Sequence, residues 1–182
     1  MNQSERDVKL GRFISLVLRH NPAAASIALD ANGWADVQQL LDGMNRAGKA
    51  IDKETLARIV RENNKSRYSF NADESKIRAN QGHSVPVDVE LKPQTPPDVL
   101  YHGTAERFLE PILRDGLSPR SRQHVHLSVD TETAVNVGSR HGKPVVLAID
   151  AADMARDGHD FWLSENHVWL CMAVPSRYIR LL

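Results

Sequence analysis

The amino-terminal half is organised by residues 7–22, which read DVKLGRFISLVLRHNP. Apolar residues recur there at the spacing of one helix face, occupied by Leu10, Phe13, Ile14, Val17 and Leu18. The pair Asn21-Pro22 should end the helix, because proline disfavours a helical conformation in the residue before it. The pattern predicts an amphipathic helix over residues 7–20 that carries Arg19 and His20 at its carboxyl end.

The composition is that of a globular chain without a broad basic surface. The 182 residues include 23 Lys and Arg against 23 Asp and Glu, so a nucleic-acid site must use selected arginines. No segment approaches the roughly 20 apolar residues that span a bilayer, and the polar start lacks a signal-peptide core. The single cysteine, Cys171, excludes an internal disulfide and a multi-cysteine metal site. We expect a cytoplasmic monomer that does not contact a membrane.

Two further helices and a hairpin are predicted before residue 80. Asp36 and Asp52 are typical helix-capping residues, and apolar residues follow each of them at helical spacing. Short strands are predicted at 67–70 and 76–79, on either side of the turn-like residues 71–74. Three helices followed by a hairpin predict a winged-helix lobe.

Residues 80–98 differ in character from the segments on either side. Gln81-Gly82-His83-Ser84 is polar, and residues 85–89 are predicted as a strand. Prolines follow at 86, 93, 96 and 97, and the later ones indicate a boundary or linker. Beyond it, strands are predicted at 99–102, 125–128, 145–149, 161–163, 167–170 and 178–181. Helices are predicted at about 105–114 and 131–140. The predicted fold class is therefore α+β.

The pair at the end of the first helix has two interpretations. Arg19 and His20 would both be favoured there by the helix dipole, whatever the function. Alternatively, the guanidinium grips phosphate oxygens while the imidazole transfers a proton near neutral pH. Arg67, at the start of the hairpin, is similarly either a solvated strand-end residue or a phosphate contact.

Polar runs in the second half also have two interpretations each. His102-Gly103-Thr104 is either a turn with a buried histidine or a strand end that a ligand approaches closely. Alternation along residues 121–128 places His124, His126 and Ser128 on one face. Two histidines at this spacing suit a metal, but no third ligand with a matching context stands out. Arg140 is either a helix-end cation or a diphosphate contact.

In the order and spacing of six short motifs, the sequence resembles the KptA-type RNA 2′-phosphotransferases over essentially its whole length. The matching runs are LVLRHNP (16–22), GW (33–34), NKSRY (64–68), LYHGT (100–104), RQHVHLS (122–128) and NHVWL (166–170). Each run alone is a weak signal, whereas all six in sequence are highly specific.

The resemblance implies an N-terminal winged-helix RNA-binding lobe, residues 1–92, and a C-terminal NAD-binding lobe, residues 93–182. The second lobe would be an ADP-ribosyltransferase-like β-sandwich with short helices. The implied activity is NAD-dependent removal of an internal 2′-phosphate from RNA, as arises in tRNA splicing or RNA repair. The phosphate would attack the nicotinamide ribose of NAD, and the ribose 2″-hydroxyl would then attack the phosphate. The products would be 2′-hydroxyl RNA, nicotinamide and ADP-ribose 1″,2″-cyclic phosphate.

The resemblance also implies the site residues. The catalytic set would be Arg19, His20, Arg67 and Arg122, with the arginines on phosphate and His20 assisting the second step. NAD, which is consumed, would contact His102, Gly103, Thr104, His126, Ser128, Arg140 and Val168; no metal is expected. Protein-modifying ADP-ribosyltransferases have a glutamate where this chain has Val168, which argues against protein modification.

Two other functions remain open. The chain could attach ADP-ribose from NAD to a terminal phosphate of a nucleic acid and stop after one step. It could instead be a winged-helix regulator that senses NAD without catalysis. The predicted third helix carries Arg58, Arg61 and Asn63, which such a regulator could use to read bases.

Overall fold

The computed structural model describes residues 3–182 and forms two compact units that divide after Glu90. The sequence places this boundary after residue 92. Both units mix helices with small antiparallel sheets, so the α+β class is confirmed. No helix within residues 3–182 is both long and apolar enough to cross a membrane.

Within the described residues 3–90, the first unit contains three α-helices and one three-stranded antiparallel sheet. The helices are α1 (Gln3–Arg19), α2 (Val37–Arg46) and α3 (Lys53–Arg61). The strands are β1 (Ala35–Asp36), β2 (Tyr68–Phe70) and β3 (Lys76–Ala79), in the order β1-β3-β2. The predicted hairpin is confirmed as β2 and β3, whereas β1 was missed because two residues carry too little pattern. α1 begins before the predicted residue 7, since helix propensity tolerates its polar first turns.

Two aspartates begin the later helices of this unit, as the sequence predicts. Asp36 Oδ1 accepts a hydrogen bond from the Gln39 amide at 2.8 Å, and Asp52 Oδ1 accepts one from the Thr55 amide at 2.7 Å. Each carboxylate satisfies an amide that has no partner within its own helix. The caps therefore fix where α2 and α3 begin.

The core of the first unit forms around the apolar face of α1. The buried residues of that face are Leu10, Ile14, Val17 and Leu18, whereas Phe13 is only partly buried. They pack with residues of the other helices and the sheet, among them Leu40, Met44, Leu56, Ile59 and Ile77. Each such side chain contributes on the order of 2 kcal/mol when buried. Packing therefore determines the position of α1, and with it the position of its carboxyl end.

The second unit contains two three-stranded antiparallel sheets and three α-helices. The strands are β4 (Val99–Ala105), β5 (Val125–Leu127), β6 (Pro144–Asp150), β7 (Phe161–Leu163), β8 (Trp169–Cys171) and β9 (Ile179–Leu181). The helices are α4 (Leu109–Asp115), α5 (Thr131–Gly138) and α6 (Ala151–Arg156). The sheets have the orders β4-β6-β9 and β5-β8-β7. The backbones of Tyr101 and Ser128 exchange two 2.8 Å hydrogen bonds and so join β4 to the end of β5.

Buried side chains of both sheets share one core. They include Leu100, Leu147 and Ile149 from the first sheet and Leu127, Phe161 and Trp169 from the second. Cys171 lies in the same core, where burial raises the pKa of its thiol to about 12. The thiol therefore stays protonated near neutral pH, and Cys171 acts as a small core residue.

One predicted strand is wrong, and another begins later than predicted. Residues 85–89 form no strand, because Pro86 cannot donate to a ladder and the amides of Val85 and Asp88 bond separately to Arg19 and Ala31. The strand predicted at 167–170 begins only at Trp169, since His167 has a φ of +59° and belongs to the preceding turn. Helix α6 was not predicted, because its six residues are too few to show a helical period.

Replacing Gly43 with alanine should destabilise the first unit. An ideal Cβ at this position of α2 would lie 2.0 Å from the Ala25 carbonyl oxygen, so the backbone must move. We expect the free energy of unfolding, measured by urea denaturation, to fall by about 1–3 kcal/mol. Gly11→Ala is the matched control in α1. Its Cβ would meet Ile59 Cγ2 at an ordinary 3.8 Å, and alanine favours a helix by about 1 kcal/mol. Equal stability of the two variants would contradict this packing.

Candidate active site

Arg19 and His20 lie where α1 ends. The helix closes with the amides of His20 and Asn21 bonding to the Leu16 carbonyl at 2.9 and 2.8 Å. Arg19 is partly buried, and its carbonyl accepts hydrogen bonds from Ser84 and Val85 at 2.9 and 3.3 Å. These bonds fix the direction in which the two side chains leave the helix.

The side chains of the pair have different surroundings. The Arg19 guanidinium lies against Gly82, where an ideal Cβ would be 3.7 Å from Arg19 Cζ. His20 is exposed, and its Nδ1 lies 2.9 Å from Ser84 Oγ. One segment after the hairpin therefore contacts both residues.

Arg67 is held by the loop that leads into β2. The Asn63 Oδ1 atom accepts hydrogen bonds from Arg67 Nη1 at 3.2 Å and from the Arg67 amide at 3.4 Å. On the other side, the Arg67 carbonyl accepts from the Asn80 amide at 2.9 Å, and Asn80 Nδ2 donates to the Ser66 carbonyl at 2.6 Å. Both the backbone and the guanidinium of Arg67 are thus anchored.

Tyr68 links this loop to α1. Its buried hydroxyl donates to the Gly11 carbonyl at 2.6 Å and lies 2.5 Å from Ser15 Oγ. Burial raises the pKa of Tyr68, while the hydrogen bond with Ser15 and the positive charges of Arg19 and Arg67 act in the opposite direction. The fold therefore brings both arginines into the electrostatic environment of one tyrosine, although they are far apart in sequence.

Arg122 lies in the second unit, just before β5, and is grouped with two other predicted residues. Its Nη1 is 3.4 Å from His126 Nδ1. Partial desolvation lowers the pKa of Arg122, and the positive charge of Arg140 lowers it further. Arg122 nevertheless remains a cation at neutral pH. The two positive charges repel each other, and a bound anion would relieve that repulsion.

His102 is anchored on β4. Its Nδ1 donates to the His126 carbonyl at 3.1 Å. Burial lowers the pKa of His102 and the charge of Arg122 also lowers it, whereas the bond to His126 opposes them. The imidazole is therefore neutral at pH 7. With the proton on Nδ1, its Nε2 is a hydrogen-bond acceptor.

Gly103 and Thr104 have a structural role that the sequence did not reveal. An ideal Cβ on Gly103 would lie 1.7 Å from the Ala134 carbonyl oxygen, because α5 packs directly on β4 there. Thr104 is buried. This packing by itself explains the glycine, so contact of either residue with NAD stays a prediction.

The two remaining predicted residues occupy different places. Ser128 pairs with Tyr101 at the junction of the two sheets. Val168 lies in the turn before β8 rather than on a strand. Its amide donates to Ser164 Oγ at 3.0 Å, and its carbonyl accepts from the Ser164 amide and hydroxyl, each at 3.0 Å.

Sequence reasoning missed the residues that hold the predicted ones. The sequence includes Asn63 in the predicted third helix as a base-reading candidate, but its side chain anchors Arg67. Gly82 and Ser84 belong to a polar run that the sequence assigns to the start of a linker, yet they contact Arg19 and His20. The available signal was a glycine within a polar run directly after a hairpin, which suggests a shaped loop rather than a tether.

Comparison with known proteins gives a consistent result. Residues 5–173 match the model of the family described as RNA 2′-phosphotransferase, Tpt1 / KptA family. A protein of Fusobacterium nucleatum named probable RNA 2′-phosphotransferase is 55% identical over 177 residues, which are 97% of this chain and 99% of that protein. Proteins with the same name from Hahella chejuensis and Agrobacterium fabrum are 54% and 52% identical. They cover 94% and 92% of this chain, and 92% and 90% of their own lengths. The chain belongs to the RNA 2′-phosphotransferase family and is therefore a transferase enzyme.

Proposed function

We propose that this chain removes an internal 2′-phosphate from RNA and transfers it to NAD-derived ADP-ribose. The observation that carries the proposal is that, in a chain of this family, Arg19 and His20 are held at the end of α1 by residues 82–85, while Arg19 and Arg67 both act electrostatically on the buried Tyr68. A phosphate monoester has up to two negative charges, and transesterification adds charge to its oxygens. Anchored guanidinium groups match that chemistry because they donate paired hydrogen bonds to phosphate oxygens.

The polar groups of the second unit fit NAD. NAD presents a diphosphate and ribose hydroxyls, and this unit offers neighbouring cations and a neutral imidazole. We assign Arg122 to the transferred phosphate and Arg140 to the diphosphate. We assign Nε2 of His102 to a ribose hydroxyl, with Gly103, Thr104, His126, Ser128 and Val168 as the further NAD contacts. When bound, NAD supplies the ribose carbon that takes up the phosphate.

The residues contribute to two successive steps in this proposal. Arg19, Arg67 and Arg122 orient the RNA 2′-phosphate for attack on the nicotinamide ribose, as nicotinamide leaves. In the second step the ribose 2″-hydroxyl attacks phosphorus, and the bond between phosphorus and the RNA 2′-oxygen breaks. His20 serves the second step, because one proton must move from the 2″-hydroxyl to the departing 2′-oxygen.

Product analysis tests the proposed function. The protein is incubated with NAD and an RNA oligonucleotide that carries one internal 2′-phosphate. We expect 2′-hydroxyl RNA, nicotinamide and ADP-ribose 1″,2″-cyclic phosphate in equal amounts. The same RNA without the phosphate is the control and should leave NAD intact. A stable ADP-ribosylated RNA end would favour terminal-phosphate modification, and NAD binding without turnover would favour the regulator.

Alanine at Arg19, Arg67 or Arg122 should remove far more turnover than stability. Each change deletes a cation from the proposed phosphate site, and loss of one such charge-stabilising donor costs about 10²–10³-fold in rate. Arg12→Ala is the matched control, because Arg12 is an exposed arginine on the same helix as Arg19. Turnover is measured with the phosphorylated oligonucleotide and stability by thermal denaturation. Activity near the parent level in all three variants would refute the assignment.

Changes at His102 should mainly weaken the use of NAD. His102→Asn retains a side-chain donor in place of Nδ1 but lacks Nε2, whereas His102→Ala lacks both. Because we assign Nε2 to the ribose, we expect both variants to raise the KM for NAD by about tenfold, the effect of roughly 1.4 kcal/mol. His102→Asn should retain more stability, since it can still donate to the His126 carbonyl. An unchanged KM for NAD in both variants would contradict the placement.

A further inference from the structure

Residues 82–85 form one short segment that contacts both residues at the end of α1. The amides of Ser84 and Val85 donate to the Arg19 carbonyl at 2.9 and 3.3 Å. Gly82 lies against the Arg19 guanidinium, and Ser84 Oγ lies 2.9 Å from His20 Nδ1. The segment therefore carries two backbone donors to the helix end and one hydroxyl to the imidazole.

The conformation of this segment depends on Gly82. Gly82 has a φ of +85°, in the left-handed region that favours glycine. The turn it makes brings the Ser84 amide to the end of α1, and the hydroxyl follows. The hydrogen bond between Ser84 and His20 thus follows from the backbone path of residues 82–85. That path is fixed by the turn at Gly82 and by the two amide hydrogen bonds to the Arg19 carbonyl.

The hydrogen bond is better suited to orienting a ring than to stabilising the fold. Ser84 and His20 are both exposed, and a hydrogen bond between exposed groups replaces bonds to water with little net gain. An imidazole bonded at Nδ1, however, has its rotation restricted, and it carries its proton on Nδ1 when the hydroxyl accepts from that nitrogen. Its other nitrogen, Nε2, then projects from the opposite edge of the ring.

We propose that Ser84 is a positioning residue, which holds His20 through Nδ1 so that Nε2 is the atom that moves the proton in transesterification. This inference rests on the proposed function of the site. In this arrangement the Ser84 hydroxyl oxygen accepts from Nδ1, which keeps its hydrogen in both the neutral and the protonated ring. Ser84 therefore holds the same ring orientation throughout the step and does not itself gain or lose a proton.

In this proposal His20 alone carries the one proton that moves during the step. Nε2 takes the proton of the ribose 2″-hydroxyl as the new bond from its oxygen to phosphorus forms. Nε2 then gives that proton to the RNA 2′-oxygen as its bond to phosphorus breaks. His20 ends in its starting state, and no further reactant is needed.

Single-turnover kinetics of Ser84→Ala separate positioning from a structural role. The protein in excess is mixed with NAD and 2′-phosphorylated RNA, and the RNA, its ADP-ribosylated form and the dephosphorylated product are resolved over time. We expect the second step to slow by about ten- to a hundredfold, the cost of misplacing a catalytic group. The first step should be unchanged, because it needs no proton from His20. ADP-ribosylated RNA should therefore accumulate.

Two variants control this experiment. Ser84→Thr keeps a hydroxyl on Cβ and should restore the second step, whereas Ser4→Ala removes an exposed serine from the first turn of α1 and should behave as the parent. A parent-like second step in Ser84→Ala would overturn the proposal. So would equal slowing of both steps, with a lower melting temperature, because that indicates a structural role.

Nitrogen chemical shifts of the His20 ring give a readout that does not need turnover. The signals are assigned by comparison with His20→Gln in the intact protein. We expect the neutral parent ring to carry its proton on Nδ1, and Ser84→Ala to shift the population toward the Nε2–H tautomer. A parent ring already protonated at Nε2, and unaffected by Ser84→Ala, would overturn the proposal. Absence of turnover in the parent would instead refute the proposed function and leave this tautomer result standing.

Discussion

Burial of one face of α1 is the constraint on which the first unit depends. Four apolar side chains of that face are enclosed by the other helices and the hairpin. Because these contacts fix the helix along its length, its final turn cannot rotate independently. Arg19 and His20 therefore leave the helix in fixed directions, and their chemistry follows from the packing of residues that never contact a substrate.

The hairpin is fitted to that helix by polar contacts. Tyr68 reaches the Gly11 carbonyl, and the segment after β3 returns to the Arg19 carbonyl. Both contacts satisfy carbonyl groups of α1. Each also places a neighbouring residue of the proposed site next to the helix. Arg67 precedes Tyr68 in the chain, and Ser84 follows Gly82. The same bonds that complete the fold thus assemble the predicted phosphate site of this unit.

In the second unit the corresponding constraint is the close approach of α5 to β4. The contact at Gly103 leaves no room for a side chain, so the helix lies directly on the strand. Through Tyr101 and Ser128, β4 is in turn joined to the end of β5. His102 is held between these fixed elements and bonds to the His126 carbonyl. Burial lowers the pKa of His102, and its neutral state suits a hydrogen bond to an uncharged hydroxyl.

The sequence by itself determined the elements whose signal is local. These elements follow from residue spacing or from side-chain chemistry within a few residues. They are the apolar face of α1, the helix caps at Asp36 and Asp52, and the strand at 161–163. The motifs that carry the family resemblance are local in the same sense, which is why the family and the candidate residues could be identified. Only the tertiary structure decided how those residues are held. Ser84 acquires its role from a partner 64 residues away, and Gly103 acquires its role from a helix about 30 residues later in the chain. A hydrogen bond or a close contact between distant segments leaves no periodic trace in the sequence, because it depends on the path of the backbone between them.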